Sequence, residues 1–132
     1  MTPSHPRLLI VDDEEQIRRL IAEFLEDVGD FDIRGADSGE AALEALALAP
    51  ADLCVVDLRL PGMNGEAFIL AALRQGLCPR FLLHTGSVDH SLAQELLAAG
   101  VTDQDVFLKP NDLERLVERI QEILHRGNQA KA

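Results

Sequence analysis

Short apolar runs alternate with helical periods along the whole chain, and this alternation is the feature that most restricts the fold. Four runs are too short for helices and lack strict apolar–polar alternation, which is typical of strands buried on both faces of a parallel sheet. They cover residues 8–11, 53–56, 80–84 and 106–108. Residues 31–34 do alternate and predict a weaker fifth strand at a sheet edge.

Helical periodicity fills the segments between these runs. Apolar residues recur at three- and four-residue spacing over residues 17–28 and 113–124, which predicts the first and last helices. Further helices are predicted after Ser38, over residues 65–75 and over residues 91–99. Five strand–helix repeats favour an α/β, flavodoxin-like (βα)5 fold, in which a doubly wound parallel five-stranded sheet has the order 2-1-3-4-5.

Length and composition predict one compact domain. The 132 residues are 47% hydrophobic and 27% charged, which lies within the globular range. We expect a single domain over residues 1–132, with a core at about residues 6–125, a polar tail at residues 126–132 and no output domain.

The formal net charge of −11 excludes some classes of partner. Phosphate backbones and anionic lipids repel an acidic chain that has no basic patch, so we expect no nucleic-acid and no membrane partner. Cys54 and Cys78 are interpreted as reduced, packed thiols of a cytoplasmic protein. Acidic residues such as Glu14 and Glu15 are interpreted as solvated helix surface.

Polar or charged side chains follow all four central predicted strands. Asp12 and Asp13 follow the first strand, Asp57 the third, Thr85 the fourth and Lys109 the fifth. Each alone has an ordinary explanation as a helix cap, a turn residue or a solvated lysine. Because the carboxyl ends of parallel strands meet at one sheet edge, where ligands of this fold class bind, we expect one shared polar site.

Clustered carboxylates repel one another, and a hard divalent cation relieves that repulsion. Mg²⁺ prefers oxygen ligands and binds carboxylates together with phosphoryl oxygens. Asp57, which stands alone at the end of a central strand, is the best candidate nucleophile for an aspartyl phosphate, with Asp12 and Asp13 on the metal side. Lys109 and Thr85 then offer a cation and a hydroxyl donor to the phosphoryl oxygens.

These motifs resemble the receiver domain of two-component response regulators. The resemblance rests on the sequences VDDE at 11–14, DLRLPGMNG at 57–65, TG at 85–86 and KP at 109–110, and it covers about residues 6–125. It implies that Asp57 accepts a phosphoryl group from a histidine kinase or a phosphotransfer protein. It also implies that Asp13, Asp57 and the backbone carbonyl of Arg59 bind Mg²⁺, with Asp12 nearby, often through water.

The resemblance further implies a switch rather than an enzyme, because a receiver catalyses only its own phosphorylation and slow autodephosphorylation. Thr85 and Lys109 would engage the phosphoryl oxygens, and the bond before Pro110 would be cis. The output would be altered binding to a downstream protein target, by a monomer or a phosphorylation-dependent homodimer. Arg59 and Ser87 flank the phosphoryl group in this family and influence attack by water.

The position of the aromatic switch residue departs from the family pattern. Receivers usually carry an aromatic residue three positions before the lysine, whereas here that position is Val106 and the aromatic is Phe107. Strand alternation points Phe107 to the opposite face and favours Val106 as the switch position with an altered relay. A bulge caused by the long segment 100–105 would instead restore Phe107 to that role.

Other functions stay open on the sequence alone. A small Mg²⁺-dependent phosphohydrolase with an aspartate nucleophile needs an acid for the leaving group, but Arg59 stands where haloacid-dehalogenase-like phosphatases have an aspartate. A phosphorylation-independent pseudo-receiver is disfavoured because the set of site residues is complete. The chain is expected to be a stand-alone receiver, although a fragment excised from a longer regulator would look the same.

Overall fold

In the computed structural model of this protein, the described residues are 5–86 and 94–131, with side chains described up to residue 124. The strands are β1 (Arg7–Val11), β2 (Asp32–Ala36), β3 (Leu53–Val56), β4 (Phe81–Thr85) and β5 (Val106–Leu108). The helices are α1 (Glu15–Glu26), α2 (Gly39–Leu48), α3 (Gly65–Arg74), α4 (Gln94–Ala98) and α5 (Leu113–Lys131), and a short 3-10 turn, Asp103–Asp105, precedes β5.

The five strands form one parallel sheet in the order β2-β1-β3-β4-β5, which confirms the predicted fold class. The direction of winding reverses at β1, which pairs with β2 on one side and β3 on the other. The carboxyl ends of β1, β3, β4 and β5 therefore lie side by side, where ligands of such sheets collect.

Element ends differ from the sequence expectations by a few residues. β4 ends at Thr85 and β2 at Ala36, one and two residues later than predicted, because pairing with the neighbouring strand continues to those positions. Residues 126–131, predicted as a polar tail, continue α5. Of the helix predicted over 91–99, residues 91–93 lie outside the described part, residues 94–98 form α4, and residue 99 is in the following turn.

Apolar strand residues pack into two layers, one on each face of the sheet. Successive side chains of a strand point to opposite faces. The α1/α5 layer contains Leu8, Ile10, Leu53, Val55, Leu82 and Phe107 from the strands. The α2/α3/α4 layer contains Leu9, Val11, Cys54, Val56, Phe81 and Leu83.

Helix α1 is less buried than its periodicity predicts. Of its apolar positions, Ile21 and Leu25 are fully buried in the α1/α5 layer. Leu20 and Phe24, together with Val28 just beyond the end of α1, are spaced by four residues and are instead 38%, 41% and 51% exposed. The apolar stripe of α1 is thus wider than the strip of sheet it covers, and a row of apolar side chains faces solvent.

No helix among residues 5–86 and 94–131 is long and apolar enough to cross a bilayer.

Edge strand β2 is tied to α2 by Arg34. Nη1 of Arg34 donates to the carbonyl of Ala45 at 2.9 Å, and Nη2 donates to the carbonyl of Ala49 at 2.6 Å. The carbonyl of Ala45 also accepts from the N–H of Ala49, and positive charge is favourable at the carboxyl end of a helix. Arg34 therefore caps the carboxyl end of α2 from the neighbouring strand.

Gly65, the first residue of α3, touches the backbone of the loop after β3. A Cβ at this position would lie 2.5 Å from the carbonyl oxygen of Asp57 and 2.7 Å from Cα of Leu58. We expect Gly65→Ala to lower the free energy of unfolding by about 1–3 kcal/mol, measured by urea denaturation, because the main chain cannot yield without moving the loop. Gly86→Ala, with open space around its Cβ, is the control. Equal losses in both variants would contradict this account.

Candidate functional site

Lys109 is the centre of a charged site at the carboxyl edge of the sheet. Its Nζ lies 2.7 Å from Oδ2 of Asp12, 2.9 Å from Oδ2 of Asp57 and 2.9 Å from Oε1 of Glu14. Asp12 and Asp57 are buried, while Glu14 is exposed. One ammonium group is therefore shared by three carboxylates that come from the ends of β1 and β3.

The sheet fixes the positions of the two buried carboxylates. The backbone N–H of Asp12 donates to Ala36 at 3.0 Å, and that of Asp57 donates to Val11 at 2.9 Å, so parallel pairing continues one residue beyond each strand. Oδ1 of Asp12 accepts from the N–H of Glu14 at 2.9 Å, and Oδ1 of Asp57 accepts from the N–H of Arg59 at 3.0 Å. Both side chains are thereby oriented with Oδ2 toward Lys109.

Four carboxylates could hold a cation. Asp12, Asp13, Glu14 and Asp57 each offer one oxygen, and these atoms all lie within 4.8 Å of one another. An all-oxygen donor set with two exposed members suits Mg²⁺, which keeps several waters. Sequence reasoning missed Glu14, which is exposed as expected but also contacts Lys109. Its place directly after Asp12 and Asp13 was the available signal.

Burial and charge pairing act in opposite directions on the ionisation of the site. Burial raises the pKa of Asp12, although hydrogen bonds from Lys109 and from the Glu14 N–H oppose that effect. Burial alone would lower the pKa of Lys109, but hydrogen bonds to Asp12, Asp57 and Glu14 outweigh it and raise the pKa above its ordinary value. Lys109 is therefore a permanent cation at neutral pH.

Thr85, at the end of β4, is 1% exposed, and its carbonyl accepts from the N–H of Lys109 at 3.0 Å. By alternation from Leu83 its side chain lies on the α2/α3/α4 face of the sheet. Val106 pairs with Leu83 and packs against that same layer. Thr85 and Val106 thus share a face.

Phe107 lies on the other face, in the α1/α5 layer, where the guanidinium carbon of Arg115 is 5.7 Å from its ring centroid. The pairing of β4 with β5 is continuous from Val106 to Leu108, without a bulge among the described pairs. The structure therefore separates Phe107 from Thr85, and α5 rather than α4 is its helical neighbour.

The remaining predicted site residues lie around this centre. Arg59 is exposed, with its backbone N–H on Asp57. The Lys109–Pro110 peptide bond is cis. Ser87 lies outside the described residues.

His84 is a buried histidine next to the site. It is 2% exposed, and neither ring nitrogen has a hydrogen-bond partner among the described residues. It pairs in register with Phe107, and by alternation from Leu82 it faces the α1/α5 layer. Burial, and then the charge of Lys109, lower the pKa of His84 to about 4. The ring is therefore neutral in the folded protein at neutral pH.

This burial makes stability depend on pH. Because the ordinary pKa of 6.5 applies in the unfolded chain and about 4 in the folded one, the unfolded state binds the proton first as pH falls. His84 should therefore cost about 1 kcal/mol of stability between about pH 7.5 and 5.5. Urea denaturation across this range should show a smaller loss for His84→Val than for the wild type.

The control for this prediction is His5→Gln, which changes an exposed histidine. Its pH profile should follow that of the wild type. His84→Val should also be more stable at neutral pH, since it removes two unpartnered buried nitrogens. If the pH profiles of wild type and His84→Val coincide, the account of His84 is wrong.

Known proteins are similar to this chain in sequence and in fold. A family model described as the response regulator receiver domain matches residues 8–121. The chemotaxis protein CheY of Pseudomonas aeruginosa is 32% identical over 124 residues, which cover 92% of this chain and 98% of that protein. The receiver domain of a LuxO repressor protein from Vibrio parahaemolyticus, a solved structure, is 28% identical with a TM-score of 0.78, covering 96% of this chain and 95% of that one.

Some relatives are much longer. Protein PetR of Rhodobacter capsulatus is 35% identical over 130 residues, which are 98% of this chain and 53% of that protein. The sensor histidine kinase TmoS of Ectopseudomonas mendocina is 30% identical over 121 residues, which are 90% of this chain and 12% of that protein. The chain thus spans about half of one of these relatives and a small part of the other.

Proposed function

Since the chain belongs to the response regulator receiver domain family and is a phospho-accepting signalling domain, we propose that Asp57 is the residue that takes the phosphoryl group. The observation that supports this proposal is the position of the Lys109 ammonium group. Its Nζ lies 2.9 Å from Oδ2 of Asp57 and 2.7 Å from Oδ2 of Asp12. A cation held at this place stabilises negative charge that develops on a transferring phosphoryl group. Asp57 is the acceptor because it alone ends the central strand β3.

The proposed step is an exchange of bonds at phosphorus. A carboxylate oxygen of Asp57 attacks the phosphorus of a phosphohistidine, the P–N bond breaks, and its electron pair stays on the imidazole nitrogen. The Lys109 ammonium, which holds Asp12, Asp57 and Glu14 beforehand, then turns to the new phosphoryl oxygens. Thr85, buried at the end of the adjacent strand β4, donates its hydroxyl to the same group.

Asp12, Asp13, Asp57 and the backbone carbonyl of Arg59 are the proposed Mg²⁺ ligands, since three of them belong to the cluster of close carboxylate oxygens. A bound Mg²⁺ supplies positive charge to the phosphoryl oxygens and relieves repulsion between the carboxylates. The proposed role of Asp57 Oδ1, which accepts from the Arg59 N–H, is to keep the carboxylate oriented.

The proposed output is a change in protein contacts. Movement of Thr85 toward the phosphoryl group would change the packing around Val106, which lies on the same face of the sheet. It would not change the packing around Phe107, which lies in the opposite layer. The proposed phosphodonor is a histidine kinase or phosphotransfer protein, and the proposed target is a downstream protein, in the cytoplasm. The exposed residues Leu20 and Phe24 on α1, with Val28 just beyond its end, offer such partners an apolar surface beside the acidic cluster. The protein acts as a monomer or a phosphorylation-dependent homodimer.

Acetyl phosphate with Mg²⁺ provides the test. We expect the intact mass of the full chain to rise by one phosphoryl group, and chelation of Mg²⁺ by EDTA to prevent the rise. No adduct on folded protein in the presence of Mg²⁺ would overturn the proposal. Sustained release of phosphate from a phosphomonoester, without accumulation of an adduct, would support the phosphohydrolase instead.

A further inference from the structure

The two cysteines of this chain both belong to the α2/α3/α4 layer. Cys54 is on β3, and Cys78 is in the connection between α3 and β4. Both are free and buried. They meet at one carbonyl, because the oxygen of Arg80 accepts from the N–H of Cys54 at 3.0 Å and from Sγ of Cys78 at 3.2 Å.

The Cys54 thiol also lies within reach of the Cys78 sulfur as a hydrogen-bond donor. This interaction lowers the pKa of the Cys78 thiol, because it favours negative charge on the Cys78 sulfur. The same interaction, together with burial, raises the pKa of the Cys54 thiol well above its ordinary value. The two sulfurs are therefore unequal, and Cys78 is the more readily ionised. Thiolates, not thiols, are the nucleophiles of cysteine chemistry.

We propose that Cys54 and Cys78 form a redox site at which hydrogen peroxide converts the two thiols into an intramolecular disulfide. The proposal rests on the place of both cysteines in one core layer, on the Arg80 carbonyl that bonds the Cys54 N–H and the Cys78 sulfur, and on the absence of a third cysteine in the sequence that could compete. It does not depend on the phosphoryl chemistry of Asp57.

The reaction has two steps. The Cys78 thiolate attacks one oxygen of hydrogen peroxide, the O–O bond breaks, and the departing hydroxide takes a proton to become water, which leaves a sulfenic acid on Cys78. The Cys54 sulfur then loses its proton and attacks the Cys78 sulfur, the S–O bond breaks, and a second water leaves. The peroxide is reduced and both sulfurs are oxidised. Two thiols and one peroxide thus yield one disulfide and two waters.

Position favours Cys78 as the sulfur that reacts first. It lies in the connection between α3 and β4 and is 2% exposed, whereas Cys54 is inside the sheet and 0% exposed. The resulting bond would join β3, three residues before Asp57, to the segment that leads into β4.

The test uses the full, reduced chain under native conditions. After hydrogen peroxide, followed by denaturation in the presence of iodoacetamide, we expect a mass lower by two hydrogen atoms with neither cysteine alkylated. Dithiothreitol should restore both thiols, and peptide mapping without reductant should join the peptides that contain Cys54 and Cys78. Two alkylatable thiols after treatment, or a covalent dimer as the main product, would overturn the proposal.

Single variants identify the attacking sulfur. In Cys54→Ala the remaining Cys78 should accumulate a sulfenic acid that dimedone traps, whereas in Cys78→Ala the remaining Cys54 should be trapped to a much smaller extent. Equal trapping in both would overturn the assigned order of attack. The experiment on the wild type tests the disulfide without any variant, and Asp57→Asn should form it as readily as the wild type.

Discussion

Asp57→Asn is expected to abolish the phosphoryl adduct formed with acetyl phosphate and Mg²⁺ while leaving the fold intact. An amide is not a nucleophile for phosphorus, so the adduct should fall to the background of the method. The amide oxygen can still accept the Arg59 N–H that Oδ1 of Asp57 accepts at 3.0 Å. Removing one anion from a group of three around Lys109 also lessens the repulsion between the remaining two.

The matched control is Asp103→Asn, which changes an exposed aspartate in the 3-10 turn before β5 by the same single substitution. It should accept the phosphoryl group as the wild type does. Circular dichroism should show native spectra for both variants. An undiminished adduct on Asp57→Asn would sink the assignment of Asp57, and a peptide map would then locate the true acceptor.

Lys109→Met is expected to destabilise the protein more than any other substitution considered for this site. It leaves the buried carboxylates Asp12 and Asp57 without their cation, and removal of one member of a buried ion pair costs about 3–5 kcal/mol. We expect a loss of that order in the free energy of unfolding, measured with urea at neutral pH without divalent cations. Millimolar Mg²⁺ should recover part of it, since the carboxylates regain a counter-charge.

Arg19→Met is the control for the lysine substitution. Arg19 pairs with Glu15 at 2.8 Å, but both side chains are about two-thirds exposed, and such a pair contributes at most about 0.5 kcal/mol. The difference in the free energy of unfolding between the two variants therefore reports the effect of burying the charged groups rather than the number of charges removed. Equal losses would show that Asp12 and Asp57 are solvated enough to need no cation, which contradicts the geometry of the site.

Much of the fold follows from local pattern. The alternation of short apolar runs with helical periods was sufficient for the strand order, because parallel crossovers of this size permit few arrangements. The exact ends of β2 and β4 were not predictable, since they depend on how far a neighbouring strand offers partners. The exposure of Leu20, Phe24 and Val28 was also missed, because periodicity shows a stripe but not how much of it a sheet covers.

The site was predictable where chain position alone determines it. Asp12, Asp57 and Lys109 meet because each directly follows a strand. Contacts between loops and strands could not be predicted from the sequence. The placement of Cys78 in the same core layer as Cys54 depends on the path of the chain after α3, and the two unpartnered nitrogens of His84 depend on what surrounds the ring.

Both edges of the sheet carry features that disfavour pairing with a further strand. On one side β2 carries the charged residues Asp32 and Arg34, and the guanidinium of Arg34 is held at the end of α2. On the other side β5 is three residues long and is soon followed by Pro110, which has no N–H to donate. Proteins use such short, charged or proline-flanked edges to prevent edge-to-edge aggregation. Edge-to-edge pairing of copies of this chain through β2 or β5 is therefore disfavoured.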